Sequence, residues 1–404
     1  MSLRSHLSGQ AKFLQDSGFE VLLIGSDLGG LAEMGLDEGV RVVNLPMPRN
    51  PSPWRDCLAL MVLIGILVRE RPSLLVYGTP KAALLGAVAG TLTRAPVRVY
   101  VLHGLRLETL TGLRRGWMTG IEWLVMQLST RVVAVSAGLR ELVIESGLAA
   151  RPKIQVLGYG SSNGIDGTRF VRSSTSAQNR ERTELTVDPR DFVYVFLGRL
   201  TSDKGIDDLI DAFHVVRRDR DNQRLLLVGD IEGSAEEKQR LNARIECAPG
   251  VLHHSYRADV REVLSSCNCL VLPTYREGLP NVLLEAAALA LPVIASNATG
   301  VRDIVENHRT GLIVPVHDTG LLATAMRDVR DAYPQALARA ERARAHVCLR
   351  FERSAVWNHW LTFFSGLTPI DGLSRAPLTG SDAGRLPSVD TPGSTIGTGI
   401  GTRR

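Results

Sequence analysis

The sequence is poor in aromatic residues, in cysteines and in long apolar runs, and each shortage excludes a class of protein. Aromatic residues make up 5% of the 404 residues, and the five cysteines lack the spacing of a disulfide framework or a metal site. The longest apolar run, Cys57–Val68, is too short to span a bilayer and predicts a buried helix. Residues 1–18 are too polar for a secretory signal. We therefore expect reduced thiols and a cytoplasmic location.

The excess of positive over negative charge is also small. The formal net charge is +5, and residues 1–170 carry 18 Lys and Arg against 13 Asp and Glu, so the surplus belongs to the N-terminal half. A basic face attracts nucleic acid or an anionic membrane surface, although such a face is more often plain solvated surface. Because the excess is small, we predict no nucleic-acid partner.

Short aliphatic runs alternate with helical stretches, which is typical of parallel sheets joined by crossover helices. Two such series in tandem predict an α/β protein with two doubly wound, Rossmann-like domains that face a cleft. We expect domains at 1–170 and 190–345, a linker at 171–189, a helix at 346–365 that packs on the first domain and a disordered tail at 366–404. The predicted strands are Glu20–Gly25, Val40–Leu45, Ser73–Tyr77, Val97–Leu102, Arg131–Val135, Ile154–Leu157, Phe192–Leu197, Arg224–Val228, Val251–His254, Asn268–Leu272, Pro292–Ala295 and Leu312–Val314.

The N-terminal end of the sequence departs from this pattern. A doubly wound domain starts with a strand whose C-terminal loop leads into the first helix. Here Leu3–Ser17 has the character of a helix and leads directly into the strand at Glu20–Gly25. We therefore predict that the first strand of the N-terminal domain is missing, either because the true start lies upstream or because the domain is incomplete.

The most informative segment is Thr274-Tyr-Arg-Glu-Gly-Leu-Pro-Asn-Val-Leu-Leu-Glu285, which follows a buried strand and leads into a helix. Its two carboxylates, Glu277 and Glu285, lie eight residues apart around the helix start. The free N–H groups and the dipole at a helix start favour an anion. One carboxylate can hold a hydroxyl-rich group ahead of a phosphate and the other a hydroxyl-rich group behind it. This is the layout of a nucleotide sugar.

A second segment, Gly198-Arg-Leu-Thr-Ser-Asp-Lys-Gly205, brings two cations to the end of the strand at Phe192–Leu197. Ligands of open α/β sheets bind at the carboxyl ends of strands. Arg199 can grip phosphate oxygens bidentately, and Lys204 acts as a point charge. Cations in a turn are common, so this signal gains its weight from the Glu277–Glu285 segment in the same predicted domain.

Together these segments resemble glycosyltransferase family 4, whose members have the GT-B architecture. The turn at Gly198–Gly205 is similar to the diphosphate-binding turn of the family, and Glu277–Glu285 matches its Glu-x7-Glu element. Gly300-Val-Arg-Asp-Ile-Val-Glu306 and Thr310-Gly-Leu-Ile-Val-Pro315 also fit. The resemblance covers roughly residues 3–365 and implies a nucleotide-sugar co-substrate, with UDP as the expected nucleotide, and no cofactor.

The resemblance also implies roles for individual residues. Arg199 and Lys204 bind the donor diphosphate and stabilise the leaving group. Glu285 holds the ribose, and Glu277 contacts the transferred sugar. We find no Asp-x-Asp pair of the kind that holds a divalent metal on a diphosphate, so no metal is expected. The remaining implied site residues are Gly278, Leu279, Pro280 and Asn281, which present backbone N–H groups, and His103, which matches the active-site histidine of the family.

On the acceptor side, the stretches at 79–83 and 104–115 resemble the branch of the family that lengthens sugars on polyprenyl-diphosphate carriers for surface polysaccharides. The resemblance implies a polyprenyl-diphosphate-linked acceptor and salt-sensitive, peripheral attachment to the inner face of the membrane. Trp54, Trp117 and Trp123 either anchor the protein there or, as the commoner case, belong to the core. The candidate acceptor-side cations are Lys81, Arg106, Arg114 and Arg115.

Two classes of function follow from these residues. The leading interpretation is a retaining transferase of hexose or N-acetylhexosamine, because no side chain is clearly placed as a covalent nucleophile. The alternative is a regulatory protein that keeps the donor site but has lost transferase activity. The missing first strand is the reason to consider it. A transferase with a soluble acceptor is a further alternative.

Overall fold

The computed structural model describes residues 7–26, 30–48 and 52–368, which alternate between strands and helices as the sequence predicts. All the predicted strands are present, each with its ends within two residues of the prediction. The strands are β1 (Leu22–Gly25), β2 (Arg41–Asn44), β3 (Leu74–Tyr77), β4 (Val97–Leu102), β5 (Arg131–Ala134), β6 (Ile154–Gln155), β7 (Phe192–Leu197), β8 (Gln223–Val228), β9 (Val251–His254), β10 (Cys269–Leu272), β11 (Val293–Ser296) and β12 (Leu312–Val314).

Helices separate most of these strands. They are α1 (Gln10–Asp16), α2 (Leu31–Glu38), α3 (Pro53–Glu70), α4 (Pro80–Leu92), α5 (Gly112–Leu128), α6 (Ala137–Glu145), α7 (Thr175–Glu184), α8 (Ile206–Arg217), α9 (Ala235–Glu246), α10 (Arg261–Ser266), α11 (Asn281–Ala288), α12 (Thr319–Asp331), α13 (Tyr333–Arg350) and α14 (Arg353–Leu367). Short 3-10 turns follow β4, at Arg106–Thr109, and β7, at Ser202–Lys204.

The second half of the protein, residues 165–350, is built on one six-stranded parallel sheet. Its strand order is β12-β11-β10-β7-β8-β9, so β7 and β10 are neighbours at the centre although β8 and β9 separate them along the chain. Their side chains are buried almost without interruption, as in a parallel sheet covered by helices on both faces. The loops that follow β7 and β10 therefore emerge side by side.

The first half, the described residues up to 164 together with α14, has two parallel sheets instead of one. The strands β1 and β2 pair with each other, and β3, β4, β5 and β6 form a separate sheet. In a doubly wound fold the first strand lies between the second and the fourth, and no strand of the described residues occupies that place. Helices α3 and α4 connect the two sheets, because Ile24 of β1 and Leu75 of β3 pack against the same apolar cluster.

The chain passes from the first half to the second near Ile165 and returns near Phe351. The Ile165 N–H donates to the Phe351 carbonyl at 2.8 Å, and the Arg353 N–H donates to the Ile165 carbonyl at 3.0 Å. After the return, α14 buries Val356 and Trp360 in the core of the first half. The two crossings are thus hydrogen-bonded to each other, and the last described helix covers the first sheet.

The predicted linker differs from the structure. Residues 171–189, predicted to be a linker, contain helix α7, and Leu185 and Val187 are buried in the core of the second half. The Arg182 side chain is also buried, where it donates to several backbone carbonyls. The polar composition of this segment did not indicate that it is packed. A charged side chain such as Arg182 can be buried here because main-chain oxygens accept its hydrogen bonds. The tail predicted to be disordered lies outside the described residues from 369 onward.

The expectation that the Cys57–Val68 run is a buried helix is only half right. In α3, Ala59, Leu63 and Leu67 are buried, whereas the opposite side of the helix is exposed. The assignment of Trp54, Trp117 and Trp123 to the core is wrong, because these side chains are 76%, 77% and 50% exposed. Composition alone cannot separate the two cases, since a helix apolar on both sides has the same average hydropathy wherever it lies.

Candidate functional site

Two loops meet at the carboxyl edge of the central strands of the second half. The loop after β7 ends at Gly205, whose φ of +66° favours glycine, and a Cβ there would lie 2.2 Å from the Pro273 carbonyl oxygen in the loop after β10. The Tyr275 N–H donates to the Asp203 carbonyl at 3.0 Å. Pro280 occupies the N-cap position of α11, and the helix itself begins at Asn281. This backbone contact fixes the two predicted donor-binding segments against each other.

Ion pairs reinforce this junction. The Lys204 ammonium lies 2.5 Å from a Glu277 carboxylate oxygen, and both side chains are largely buried. Beside them, Arg276 lies 2.7 Å from Asp203. Burial opposes ionisation of Asp203, but a hydrogen bond from Thr201 and the charges of Arg276 and Lys204 hold the pKa of Asp203 below its usual value. Because a buried ion pair persists only where good geometry and hydrogen bonds offset its desolvation, these pairs hold the charged side chains of this edge in defined positions.

Arg199 and Arg276 extend the cationic side of the site. The guanidinium of Arg199 lies 2.9 Å from Glu232, and nearly half of its side chain is exposed. Sequence reasoning identified Arg199 and Lys204 but missed Arg276, although it directly precedes Glu277. The structure thus brings together three cations, Arg199, Lys204 and Arg276, around the loops after β7 and β10.

Glu285 lies in α11, just over one turn from the N-terminus of the helix. Desolvation by burial raises the pKa of Glu285 to about 7; the charge of Arg169 opposes this rise and that of Asp259 adds to it. Arg169 and Asp259 are 4.0 Å apart and were not identified from the sequence. A half-buried carboxyl with little local compensation is suited to bind the hydroxyl groups of a ligand.

The first half contributes the end of β4 to the same cleft. His103 and Gly104 follow β4, and a Cβ built on Gly278 would lie 1.9 Å from the His103 carbonyl oxygen. The His103 ring lies against Gly78 at the end of β3, where a Cβ would be 2.8 Å from His103 Nε2. The His103 main chain therefore borders the Glu277–Gly278 loop from the opposite side of the cleft, and the role of its side chain in the site stays a prediction.

Further contacts between the halves were not anticipated. The Thr299 hydroxyl donates to Glu108, and the Asp303 carboxylate accepts the N–H groups of Ala137 and Gly138, at 2.9 and 3.1 Å, at the start of α6. Burial raises the pKa of Asp303, while those two backbone hydrogen bonds oppose the rise. Such contacts pair residues more than 150 positions apart, and no local pattern in the sequence signals them.

The smaller polar groups of the interdomain loops have structural partners. The Ser136 hydroxyl caps α6 by accepting the Leu139 N–H. The Asn163 side chain donates to the Ser8 carbonyl and accepts from the Trp357 indole at 2.7 Å. Ser136 therefore fixes the start of α6, and Asn163 ties the N-terminal helix region to α14.

The candidate acceptor-side cations do not form one cluster. The Lys81 ammonium is 2.6 Å from both Asp56 and the Pro48 carbonyl, so its charge is neutralised within the first half. Arg106 is exposed in the turn after His103, and Arg114 and Arg115 are exposed in the first turn of α5. The three arginines remain available for an external anion, whereas Lys81 is tied to α3.

Within the described ranges, no group of three or more His, Cys, Asp or Glu side chains could hold a metal ion. One pair does have Asp-x-Asp spacing, Asp219 and Asp221. It precedes β8, at the edge of the sheet opposite the donor loops, and Asp219 is engaged by Arg327 at 2.7 Å. The expected independence of metal stays a prediction.

The raised pKa of Glu285 predicts a pH-dependent effect of Glu285→Gln on stability. An ordinary glutamic acid ionises near 4.5 and Glu285 near 7, so between these values the folded state keeps a proton that the unfolded state has released. The wild type therefore loses stability as the pH rises from 4.5 to 7. We expect Glu285→Gln to raise the free energy of unfolding by up to about 3 kcal/mol at pH 8, and by much less at pH 5.

Denaturant unfolding without ligand at both pH values measures this difference. The matched control is Glu246→Gln at the exposed end of α9, which should give the same small effect at pH 5 and pH 8. An equal effect of Glu285→Gln at the two values would contradict the assignment of a raised pKa.

Comparison with known proteins identifies the two halves. A family described as "Glycosyl transferase 4-like domain" matches residues 3–160, and one described as "Glycosyl transferases group 1" matches residues 191–331. The chain is 34% identical over 319 residues to the capsular polysaccharide biosynthesis glycosyltransferase CapM of Staphylococcus aureus, covering 78% of this chain and 82% of that protein.

A second relative is the Escherichia coli UDP-Gal:alpha-D-GlcNAc-diphosphoundecaprenol alpha-1,3-galactosyltransferase, 26% identical over 326 residues, with 79% of this chain and 82% of the relative covered. Among solved structures, Anabaena HepE in complex with UDP and glucose superposes with a TM-score of 0.77 at 21% identity, covering 90% of this chain and 95% of that one. This likeness confirms the predicted fold. The chain therefore belongs to glycosyltransferase family 4 and has the GT-B architecture.

Proposed function

We propose that this glycosyltransferase is a retaining enzyme that transfers a hexose or N-acetylhexosamine from a UDP-sugar to a polyprenyl-diphosphate-linked saccharide, in the synthesis of a surface polysaccharide. The observation that carries the proposal is the Lys204–Glu277 ion pair, which joins the two donor-binding loops opposite His103. The names of the two relatives, one in capsule synthesis and one that uses UDP-galactose and a diphosphoundecaprenol acceptor, support the donor and acceptor classes.

In this proposal, Arg199 and Lys204 hold the donor diphosphate and stabilise the negative charge that develops as it leaves. Preorganised charges of this kind contribute about 3–4 kcal/mol to the transition state. Glu277 binds hydroxyl groups of the transferred sugar, Glu285 binds the ribose hydroxyls, and His103 contacts the sugar from the other half. In the donor the sugar is bonded directly to the diphosphate. The cation that binds the diphosphate and the carboxylate that binds the sugar therefore have to be adjacent, as Lys204 and Glu277 are.

We infer same-face transfer because, among the described residues, no side chain is clearly placed as a covalent nucleophile. The acceptor oxygen attacks the anomeric carbon on the side from which the diphosphate departs, and the acceptor proton passes to the departing diphosphate. The new glycosidic bond replaces the bond to the diphosphate with the same configuration. No residue of the chain is required to form a covalent intermediate.

The acceptor class leads to the proposed location, at the inner face of the cell membrane. None of the described helices is long and apolar enough to cross a membrane, and peripheral attachment is the form we propose. Exposed Arg106, Arg114 and Arg115 on the first half suit anionic lipid headgroups, which attract each such residue by about 1 kcal/mol.

A panel of UDP-sugars tests the donor assignment. Ligands that bind only the folded state raise the melting temperature, so a shift with UDP-glucose, UDP-galactose or their N-acetyl forms identifies the donor. Transfer from that donor to a polyprenyl-diphosphate-linked N-acetylglucosamine in detergent then tests the reaction. Donor binding without transfer to this acceptor or to soluble sugars would favour the alternative, a donor-binding regulatory protein.

We predict that Arg199→Ala and Lys204→Ala each lower kcat at least a hundredfold, because each removes a charge that stabilises the leaving diphosphate. The assay is transfer at saturating donor, with circular dichroism to verify folding. Arg190→Ala is the matched control, since Arg190 precedes β7 and Arg199 follows it. The diphosphate assignment fails if either variant transfers at a rate near that of the wild type.

We also predict that activity persists in excess chelator, because cationic side chains take the place of a divalent ion at the diphosphate. The measurement is the transfer rate with and without EDTA after exhaustive dialysis. A loss of activity that magnesium or manganese restores would contradict this assignment of the phosphate site.

Charge reversal on the first half should weaken membrane attachment. Replacing Arg106, Arg114 and Arg115 together by Glu removes about 3 kcal/mol of attraction and adds repulsion. We therefore expect binding to phosphatidylglycerol vesicles at 0.1 M salt to fall at least tenfold in co-sedimentation, while UDP binding is unchanged. The control has the same change in charge on the second half, at exposed Arg180, Arg218 and Lys238. Equal binding by both triple variants would argue against the proposed surface.

A further inference from the structure

Helix α3 exposes an apolar face that its packing does not need. One side of the helix, with Ala59, Leu63 and Leu67, is buried against α4 and against Leu45, which directly follows β2. The other side has the spacing of a single helical stripe, and no charged residue lies between Asp56 and Arg69. We call this stripe the outer α3 face; its exposed members are Trp54, Leu58, Met61, Val62 and Val68.

Helix α5 adds a second apolar patch on the same layer. Both α3 and α5 pack against α4, whose own side chains are mostly buried between them. At the start of α5, Leu113 is 88% exposed and Trp117 is also exposed. Exposed apolar residues grouped on a helix face in this way mark an interaction site for a protein or a membrane.

The charges around these patches favour an anionic bilayer as the occupant. Arg55 and Arg69 lie at the two ends of α3, and Arg114 and Arg115 directly follow Leu113. A twofold contact with a second copy would set this basic rim against itself, because such an interface presents the same patch on both sides. Anionic headgroups instead complement the rim, and tryptophan side chains suit the boundary between headgroups and acyl chains.

The position of the patch relative to the cleft is consistent with this occupant. Helix α5 begins three residues after the Arg106–Thr109 turn, which itself follows His103. A surface that binds the bilayer here would keep the mouth of the cleft near the membrane, where a polyprenyl-linked acceptor resides.

We propose that the outer α3 face and the first turn of α5 insert into the boundary between headgroups and acyl chains of an anionic bilayer. Attachment then has an apolar part that high salt does not release, in addition to the ionic part expected from the arginines. This inference deepens the proposed function by naming the surface that meets the membrane, and it does not depend on the transfer reaction.

Co-sedimentation with vesicles of phosphatidylglycerol and phosphatidylcholine tests it at 0.1 M and 1 M NaCl. At 1 M salt the Debye length falls to about 3 Å, so ionic attachment is largely screened. We expect the wild type to keep a substantial part of its binding at 1 M salt. Leu58→Ser combined with Val62→Ser should lower that salt-resistant binding roughly tenfold, since each serine removes apolar area from the lipid.

The matched control combines Leu321→Ser with Leu349→Ser, two exposed leucines of the second half, and should bind like the wild type. UDP-induced thermal shifts verify that every variant is folded. Brominated lipids provide a second readout, because they quench tryptophan emission at the depth of the acyl chains. Trp54→Phe should reduce this quenching, whereas Trp357→Phe, on α14, should not.

Two results would overturn the inference. The first is complete release of the wild type at 1 M salt, which would leave attachment purely ionic. The second is a dimer in solution that the Leu58 and Val62 replacements dissociate, without salt-resistant vesicle binding, which would make a second copy the occupant. Salt-resistant binding by a protein that transfers no sugar would support this inference and contradict the proposed function alone.

Discussion

The site depends on the junction between the loops after β7 and β10. A backbone hydrogen bond from Tyr275 to Asp203 and the ion pair between Lys204 and Glu277 hold these loops together. Both loops start from adjacent central strands, so the rigid sheet sets their separation. The charges are already desolvated and oriented before any ligand binds, which is the condition under which electrostatic stabilisation of a transition state is largest. The other contacts of the site lie around this junction.

At the cleft the two halves meet through backbone atoms and not through long side chains. Gly278 has no room for a Cβ because the His103 carbonyl lies across the cleft. Asp303 binds the exposed N–H groups at the start of α6 and so adds a hydrogen-bonded contact at the same boundary. A helix start is a favourable place for a carboxylate, since its N–H groups and dipole both attract negative charge. The donor loop and the histidine strand are thus held in register by main-chain geometry.

The first half combines a covered interior with an uncovered helix layer. Its sheet is divided in the described residues, and α3 and α4 connect the two parts through shared apolar contacts. Helix α3 therefore needs apolar residues on its inner side for stability, whereas nothing in the described fold requires them on its outer side. Exposed apolar side chains that form one stripe are most simply explained by a binding surface. The basic residues around the stripe make that surface complementary to anionic lipid.

The sequence by itself determined the strands and the fold class and pointed to the segments that we propose bind the donor, because strand periodicity, turn glycines and charged residues at strand ends are local signals. It identified Arg199, Lys204, Glu277 and Glu285 without any knowledge of their contacts. Only the tertiary structure decided which of these residues touch and that α3 is apolar on an exposed side. Strand order and cross-cleft contacts join residues that are far apart along the chain. Their pairing is set by packing of the whole sheet, which no short segment encodes.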